Sequence, residues 1–128
     1  MKLYNLFFSP TDSTRDVLDF LSIKMQTAAE DVDLTLYQSK DLKMTFAPDD
    51  VVLIGVPSYA GRVPQTFARR FAENIKGSET KAVLIVTFGN RAYEDTLIEL
   101  KDLAENSGFQ VIAAAAVVTQ HSIVPQFG

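Results

Sequence analysis

The 128-residue chain contains no cysteine. That absence excludes disulfides, thiol catalysis and any iron–sulfur cluster held by the chain's own thiolates. Any redox chemistry must therefore come from a bound cofactor. No cluster of lysine and arginine with interleaved aromatics is present, and a net charge of -4 with a pI near 4.9 argues against a nucleic-acid surface. An acidic protein of this kind meets a basic partner or none. No apolar run approaches membrane-spanning length, so the expectation is a soluble cytoplasmic protein with no membrane contact. Repeats, low-complexity tracts and linkers are also missing. With 47% hydrophobic and 22% charged residues, the chain reads as one globular domain, residues 1–128. His121 is the single histidine and has no acid ladder beside it, so no metal site is expected. There is no catalytic triad and no carboxylate pair for hydrolysis; Asp49-Asp50 and Glu94-Asp95 read as turn or helix caps.

What the chain does have is an alternation of two hydrophobic periods. Residues 3–8 read as a strand, and Val17, Leu18, Leu21 and Met25 mark the buried stripe of a helix. Asp31 to Leu36 supply a second strand. The run Val-Val-Leu-Ile-Gly-Val at 51–56 suits a central parallel strand buried on both faces, and a helix follows from Pro64 with Phe67, Phe71 and Ile75 on one side. Residues 82–88 repeat the buried-strand pattern, Leu97, Leu100 and Leu103 or Ala104 line the next helix, and Gly108 ends it. Val111 to Val118 give a fifth strand with four consecutive alanines. Between residues 38 and 50 the helical pattern is weak, so that crossover is expected to be short or irregular. Such alternation predicts a doubly wound α/β fold with a parallel sheet, whose ligand site lies beyond the carboxyl ends of the strands.

Three loops at those ends carry the polar chemistry. In the first, Ser9, Thr11, Asp12, Ser13 and Thr14 stand where a strand runs into a helix, offering hydroxyls with the unpaired N–H groups and positive dipole end of that helix. A phosphate monoester fits such a cradle. No Walker lysine and no G-x-G-x-x-G is present, so a mononucleotide such as FMN suits it better than a nucleoside triphosphate or a dinucleotide. The plainer alternative is that Asp12 or Ser13 caps the helix, with Asp16 completing a capping box. The second loop, Pro57, Ser58, Tyr59, Ala60, Gly61 and Arg62, has stiff ends and one movable peptide in its middle, which suits a redox ring. Tyr59 would stack on the ring and Arg62 would stabilise negative charge on it. The third loop offers Thr87, Phe88, Gly89, Asn90 and Tyr93, where Gly89 permits close approach, Asn90 both donates and accepts, and Tyr93 is a second wall. Tyr59, Arg62 and Tyr93 also have plain readings as a loop aromatic, a solvated charge and a packing aromatic.

On Phe-Phe-Ser-Pro-Thr-Asp-Ser-Thr, Val-Pro-Ser-Tyr-Ala-Gly-Arg-Val-Pro and Phe-Gly-Asn-Arg-Ala-Tyr-Glu-Asp-Thr-Leu, the chain resembles the flavodoxin family, most nearly the flavodoxin-like half of bacterial proteins fused to a ferredoxin. The likeness runs to Gln120-His121-Ser122. It implies a flavodoxin-like five-stranded sheet in the order 2-1-3-4-5, noncovalent FMN with its phosphate at residues 9–14, and electron transfer with a redox partner such as a ferredoxin or flavin reductase. Two departures stand out. Asp12 occupies a position where the family usually has glycine, and the chain stops at Gly128 without the helix that normally covers one sheet face. The expectation is a short form or a fragment, its bare face covered by another subunit or chain. An electron carrier is the first activity implied. A flavin enzyme using a reduced nicotinamide, such as an FMN or quinone reductase, is the second, and an interaction domain that has lost FMN is the third.

Overall fold

The computed structural model describes residues 1–36, 38, 41–89 and 93–119. The chain begins with strand β1 (Leu3–Phe7), whose five residues are all buried. A strand can bury both faces only if layers cover both, and here helix α1 (Ser13–Lys24) covers one of them. Strand β2 (Ala29–Asp33) returns parallel to β1. It ends earlier than the expected Leu36 because the carboxylate of Asp33 accepts the N–H of Thr35 at 2.8 Å and turns the chain.

After the turn comes a short strand β3 (Met44–Thr45) and then β4 (Val51–Pro57), the apolar central strand. No α-helix lies between β2 and β4 among the described residues, where residues 38 and 41 take only 3-10 geometry. Instead β3 pairs with β5 (Ile75–Lys76), a two-residue strand continuing directly from helix α2 (Gln65–Asn74), and the two form a small parallel sheet of their own. The Thr80 hydroxyl lies 2.9 Å from the Ala47 carbonyl and ties the segment down. This sheet left no sequence signal, since two residues carry no period.

Strand β6 (Thr80–Phe88), helix α3 (Glu94–Asn106) and strand β7 (Phe109–Val118) complete the described chain. The main sheet is wholly parallel in the order β2-β1-β4-β6-β7, which is the expected 2-1-3-4-5 arrangement when its strands are counted along the chain. Gly108, at φ 97°, makes the turn from α3 into β7, and a Cβ there would collide with the Gly77 carbonyl.

Alternation along the strands sends side chains to two unequal cores. One face gathers Tyr4, Leu6, Ile54, Leu84 and their neighbours under α2 and α3, with Phe46, Phe67, Phe71 and Phe109 in mutual ring contact at centroid distances of 5.3–5.9 Å. The other face packs Leu3, Phe7, Leu53 and Ile85 against Leu18 of α1. At the β7 edge the sheet is open: Ile112 to Ala115 are exposed in succession, and Ile112 is the extra residue of a bulge opposite Ala82 and Val83. The expectation of a missing covering helix concerns residues 120–128, which with His121 lie outside the described residues. Among the described residues, no helix is long and apolar enough to cross a membrane.

Candidate functional site at the carboxyl ends of the strands

Beyond the carboxyl ends of β1, β4 and β6 lies a cleft of about 190 Å3. Its wall is made by Pro10, Thr11, Ser13 and Thr14 after β1, by Pro57, Ser58 and Tyr59 at the end of β4, by Thr87, Phe88 and Gly89 at the end of β6, and by Thr119 after β7. None of these side chains is charged. Hydroxyls and backbone dipoles therefore set the electrostatics, and the start of α1 makes the near end favourable to an anion.

The first loop bonds the Ser9 N–H to the Thr35 hydroxyl and the Asp12 N–H to the Ser9 carbonyl before the helix begins. Asp12 is the cap residue of α1 but makes no side-chain cap; its backbone takes a left-handed φ of 67°, which aspartate tolerates better than most residues. The helix is capped from further back, where Ser9 Oγ accepts the Arg15 N–H at 3.0 Å. The capping expected of Asp12 or Ser13 thus falls to Ser9. The first intrahelical bond runs from the Asp16 N–H to the Asp12 carbonyl, which leaves the N–H groups of Ser13 and Thr14 without an intrahelical acceptor. Close approach of α1 to β4 brings this helix end to the strand ends. It depends on Gly55, where a Cβ would come within 2.9 Å of Thr14 Cγ2 and 3.0 Å of Leu18 Cδ1.

Thr14 also joins two loops. Its hydroxyl lies 2.8 Å from that of Thr87, both buried, and whichever of the two accepts keeps a proton to donate elsewhere. Thr11 and Ser13 hydroxyls stand 3.5 Å apart at the surface. Asp12 is exposed and does not line the cleft.

The second loop satisfies itself. The Tyr59 N–H donates to the Arg62 carbonyl at 2.8 Å and the Arg62 N–H returns to the Tyr59 carbonyl at 2.9 Å, with Ala60 at φ 52° and Gly61 at φ 80° forming the tip. Two positive φ values between paired residues make a primed hairpin turn, which glycine adopts freely and alanine only with strain. Tyr59 leans edge-on to Phe8 at 6.3 Å and remains 47% exposed, and its partial burial pushes the phenol pKa up. Helix α3 holds the loop at two points: Ser58 and Thr96 hydroxyls are 2.7 Å apart, and Arg62 binds Glu99 through Nε at 3.1 Å and a terminal nitrogen at 3.0 Å. Arg62's hydrogen bond holds the Glu99 carboxyl below its ordinary range.

The comparisons with known proteins bear on the architecture. No family model and no curated protein sequence matches the chain. Solved structures do. A candidate flavoprotein from Bacteroides uniformis superposes with a TM-score of 0.64 at 12% identity, covering 92% of each chain. Megasphaera elsdenii flavodoxin in its two-electron reduced state gives 0.62 at 19% identity over 90% of this chain and 85% of the flavodoxin. A Lactobacillus acidophilus flavoprotein in complex with FMN gives 0.63 at 12% identity, covering 90% and 92%. The fold is flavodoxin-like.

Within this flavodoxin-like fold the residues singled out in the sequence separate into two groups. Thr11, Ser13, Thr14, Pro57, Ser58, Tyr59, Thr87, Phe88 and Gly89 come together as cleft lining. Among the described residues, and its chain neighbours aside, nothing lies within 4 Å of where a Gly89 side chain would begin, so that wall is open to close approach from them. The others stand apart from the lining. Ser9 is spent on the helix cap, Ala60 and Gly61 form the turn tip, Arg62 is turned to Glu99, and Tyr93 packs on Phe88 with centroids 4.6 Å apart. Asn90 lies outside the described residues. Two lining residues escaped the sequence: Pro10, and Thr119, whose N–H donates to the Phe88 carbonyl at 2.8 Å. Thr119 follows an apolar strand just as the other site residues do, and that rule applied to the last strand would have found it. A wider hollow of about 300 Å3, lined by Asp41, Thr66, Arg69, Arg70 and Glu73, lies along α2. Arg70 there already donates to the Leu34 and Leu36 carbonyls, so its charge is committed to the chain itself. No group of three or more metal-ligating side chains occurs among the described residues.

Proposed function

We propose that the chain is an electron-transfer protein that binds FMN noncovalently in this cleft. The observation that carries the proposal is the donor set at the start of α1: the hydroxyls of Thr11 and Ser13 and the helix N-terminus, in a wall without charged side chains. Such donors suit a phosphate dianion, and the exposed Asp12 carboxylate is not part of that wall. When bound, FMN would supply the capacity to take up and release electrons that a chain without cysteine cannot provide.

The protein's own part is binding and orientation. Thr11, Ser13, Thr14 and Thr87 would hold the phosphate end, with Ser9 fixing the helix that presents them. Tyr59 would flank the ring, and the backbone around Ala60, Gly61 and Gly89 would meet its polar edge, Phe88 lining the far side. Arg62 and Tyr93 would act at the periphery, Arg62 through its grip on Glu99 and Tyr93 through Phe88, and Asn90 is proposed to donate and accept to the pyrimidine edge. No carboxylate, histidine or lysine lines the described cleft, and its one titratable side chain, Tyr59, has its phenol pKa pushed up, which favours a carrier over an enzyme with its own substrate. A net charge of -4 suits a redox partner that presents a basic surface.

Titration of the purified cofactor-free chain with FMN, followed by quenching of flavin fluorescence, tests the proposal with riboflavin as the phosphate-free control. Tight FMN binding and much weaker riboflavin binding are the expected result. A folded sample that binds neither overturns it and leaves an interaction domain in front.

A further inference from the structure

We propose that Glu99, outside the cleft on helix α3, is a positioning residue that sets the second loop at the ring end of the site and thereby sets affinity for the flavin ring. The inference rests on the FMN-binding proposal above. Glu99 accepts three hydrogen bonds from the loop: two from the Arg62 guanidinium, at 3.1 and 3.0 Å, and one from the Val63 N–H at 2.9 Å. All three join segments 36 or 37 residues apart in sequence, unlike the i,i+4 pair of Lys101 with Glu105; the two from Arg62 are exposed and the one from the Val63 N–H is partly buried.

The geometry makes this contact the loop's outer anchor. Thr96, three residues earlier on the same helix face, meets Ser58 at the inner end of the loop, so one side of α3 grips the segment before and after the Tyr59–Arg62 turn. Between the two grips the turn is closed by its own backbone pair, and its tip carries the strained positive φ of Ala60. A turn whose tip residue resists its conformation needs support from outside. Glu99 supplies it, and Tyr59, the first residue of the turn, lines the cleft.

The test compares wild type with E99A and E99Q; Gln keeps an acceptor for the Val63 N–H and loses the charge. Two measurements are made: amide hydrogen exchange of Tyr59 and Arg62 in the cofactor-free chain, and dissociation constants for both FMN and riboflavin. In E99A, exchange at the two amides is expected to rise about tenfold, and both flavins to weaken by about the same factor, the scale of a lost hydrogen bond to a charged group. The FMN-to-riboflavin ratio stays fixed because the phosphate end is untouched, whereas displacement of the first loop would change it; general loosening of the fold weakens both flavins alike and is recognised by faster exchange at core amides such as Leu53 and Ile85 as well. E99Q falls between. Unchanged exchange overturns the proposal, and so does faster exchange with unchanged affinity for both flavins, which would reduce the contact to a surface ion pair. Wild type that binds neither flavin strikes down the FMN reading and the role in ring affinity with it, while exchange alone then decides whether Glu99 holds the turn.

Discussion

The two loops that flank the cleft are built on opposite principles. Residues 9–14 spend some donors within the chain, the Ser9 N–H on Thr35, the Asp12 N–H on the Ser9 carbonyl and the Thr14 hydroxyl on Thr87, but with the helix capped from behind by Ser9 the Ser13 and Thr14 N–H groups keep no intrahelical acceptor, and Thr11 and Ser13 line the cleft. Residues 57–63 spend theirs on one another and on α3, through the Tyr59–Arg62 backbone pair, Ser58 with Thr96, and Arg62 and Val63 with Glu99. An anion needs donors held ready, since an unsatisfied donor lowers its energy only when the ligand arrives. A planar ring needs a wall of fixed shape, since a wall that moves must be ordered at the cost of affinity.

The largest effect is expected where the first loop depends on a single missing side chain. In Gly55→Ala, the added methyl meets Thr14 and Leu18 at 2.9–3.1 Å and pushes α1 away from β4. Overpacking of this kind costs about 1–3 kcal/mol. A urea midpoint shows the loss, and FMN should lose more affinity than riboflavin because the helix end moves with its donors. Equal losses for both flavins would mean that α1 is not the phosphate end.

Ser9→Ala comes next. It removes the acceptor of the Arg15 N–H while leaving every cleft-lining hydroxyl in place. A lost cap costs about 1 kcal/mol. Thermal unfolding should report that loss, and the flavin ratio should fall only modestly, which separates capping from ligand contact within one loop.

This division explains what was legible in the sequence and what was not. The buried runs at 51–56 and 82–88, and the four-residue spacing of Phe67 and Phe71, fixed strands and helices because burial on both faces leaves an unmistakable pattern. The gathering of Thr11, Ser13 and Thr14 at one cleft was legible as well, because residues between a strand and the helix after it must lie at the strand's carboxyl end. Which hydroxyl caps was not: Ser9 and Ser13 are the same residue type, and only the left-handed turn at Asp12 decides that Ser9 reaches Arg15. Arg62 reads in sequence as a charge near a ligand. Its partner Glu99 lies 37 residues away on α3, and no local pattern announces a contact over that distance. The β3–β5 pairing was hidden for the same reason.

Ala60→Gly sharpens the contrast from the other side. Relief of the positive φ at the turn tip is worth about 1 kcal/mol, and greater freedom of the unfolded chain takes back roughly half of it. A small gain in stability, about 0.5 kcal/mol, is expected in denaturant unfolding. A loss instead would mean that the Ala60 methyl makes a contact worth more than its strain.

The smallest effect is a pH dependence confined to the second loop. Glu99 is the carboxylate that Arg62's hydrogen bond, followed by the Val63 N–H, holds below its ordinary value of 4.5. A carboxyl lowered by folding gives up protons more readily in the native chain than in the unfolded one. Its contribution is therefore complete above the unfolded pKa and disappears as pH falls through the lowered native value. The stability gap between wild type and E99Q should be constant from neutral pH to about 5 and should close below that. Arg62 is largely exposed, so solvent screens the pair and the gap is small even at its widest. Salt gives an independent check, because an ion pair weakens as ionic strength rises whereas the Val63 N–H bond, which Gln retains, does not. A gap that persists unchanged at low pH would assign the grip of α3 on the loop to the two acceptor oxygens of Glu99, of which Gln keeps one, and not to its charge.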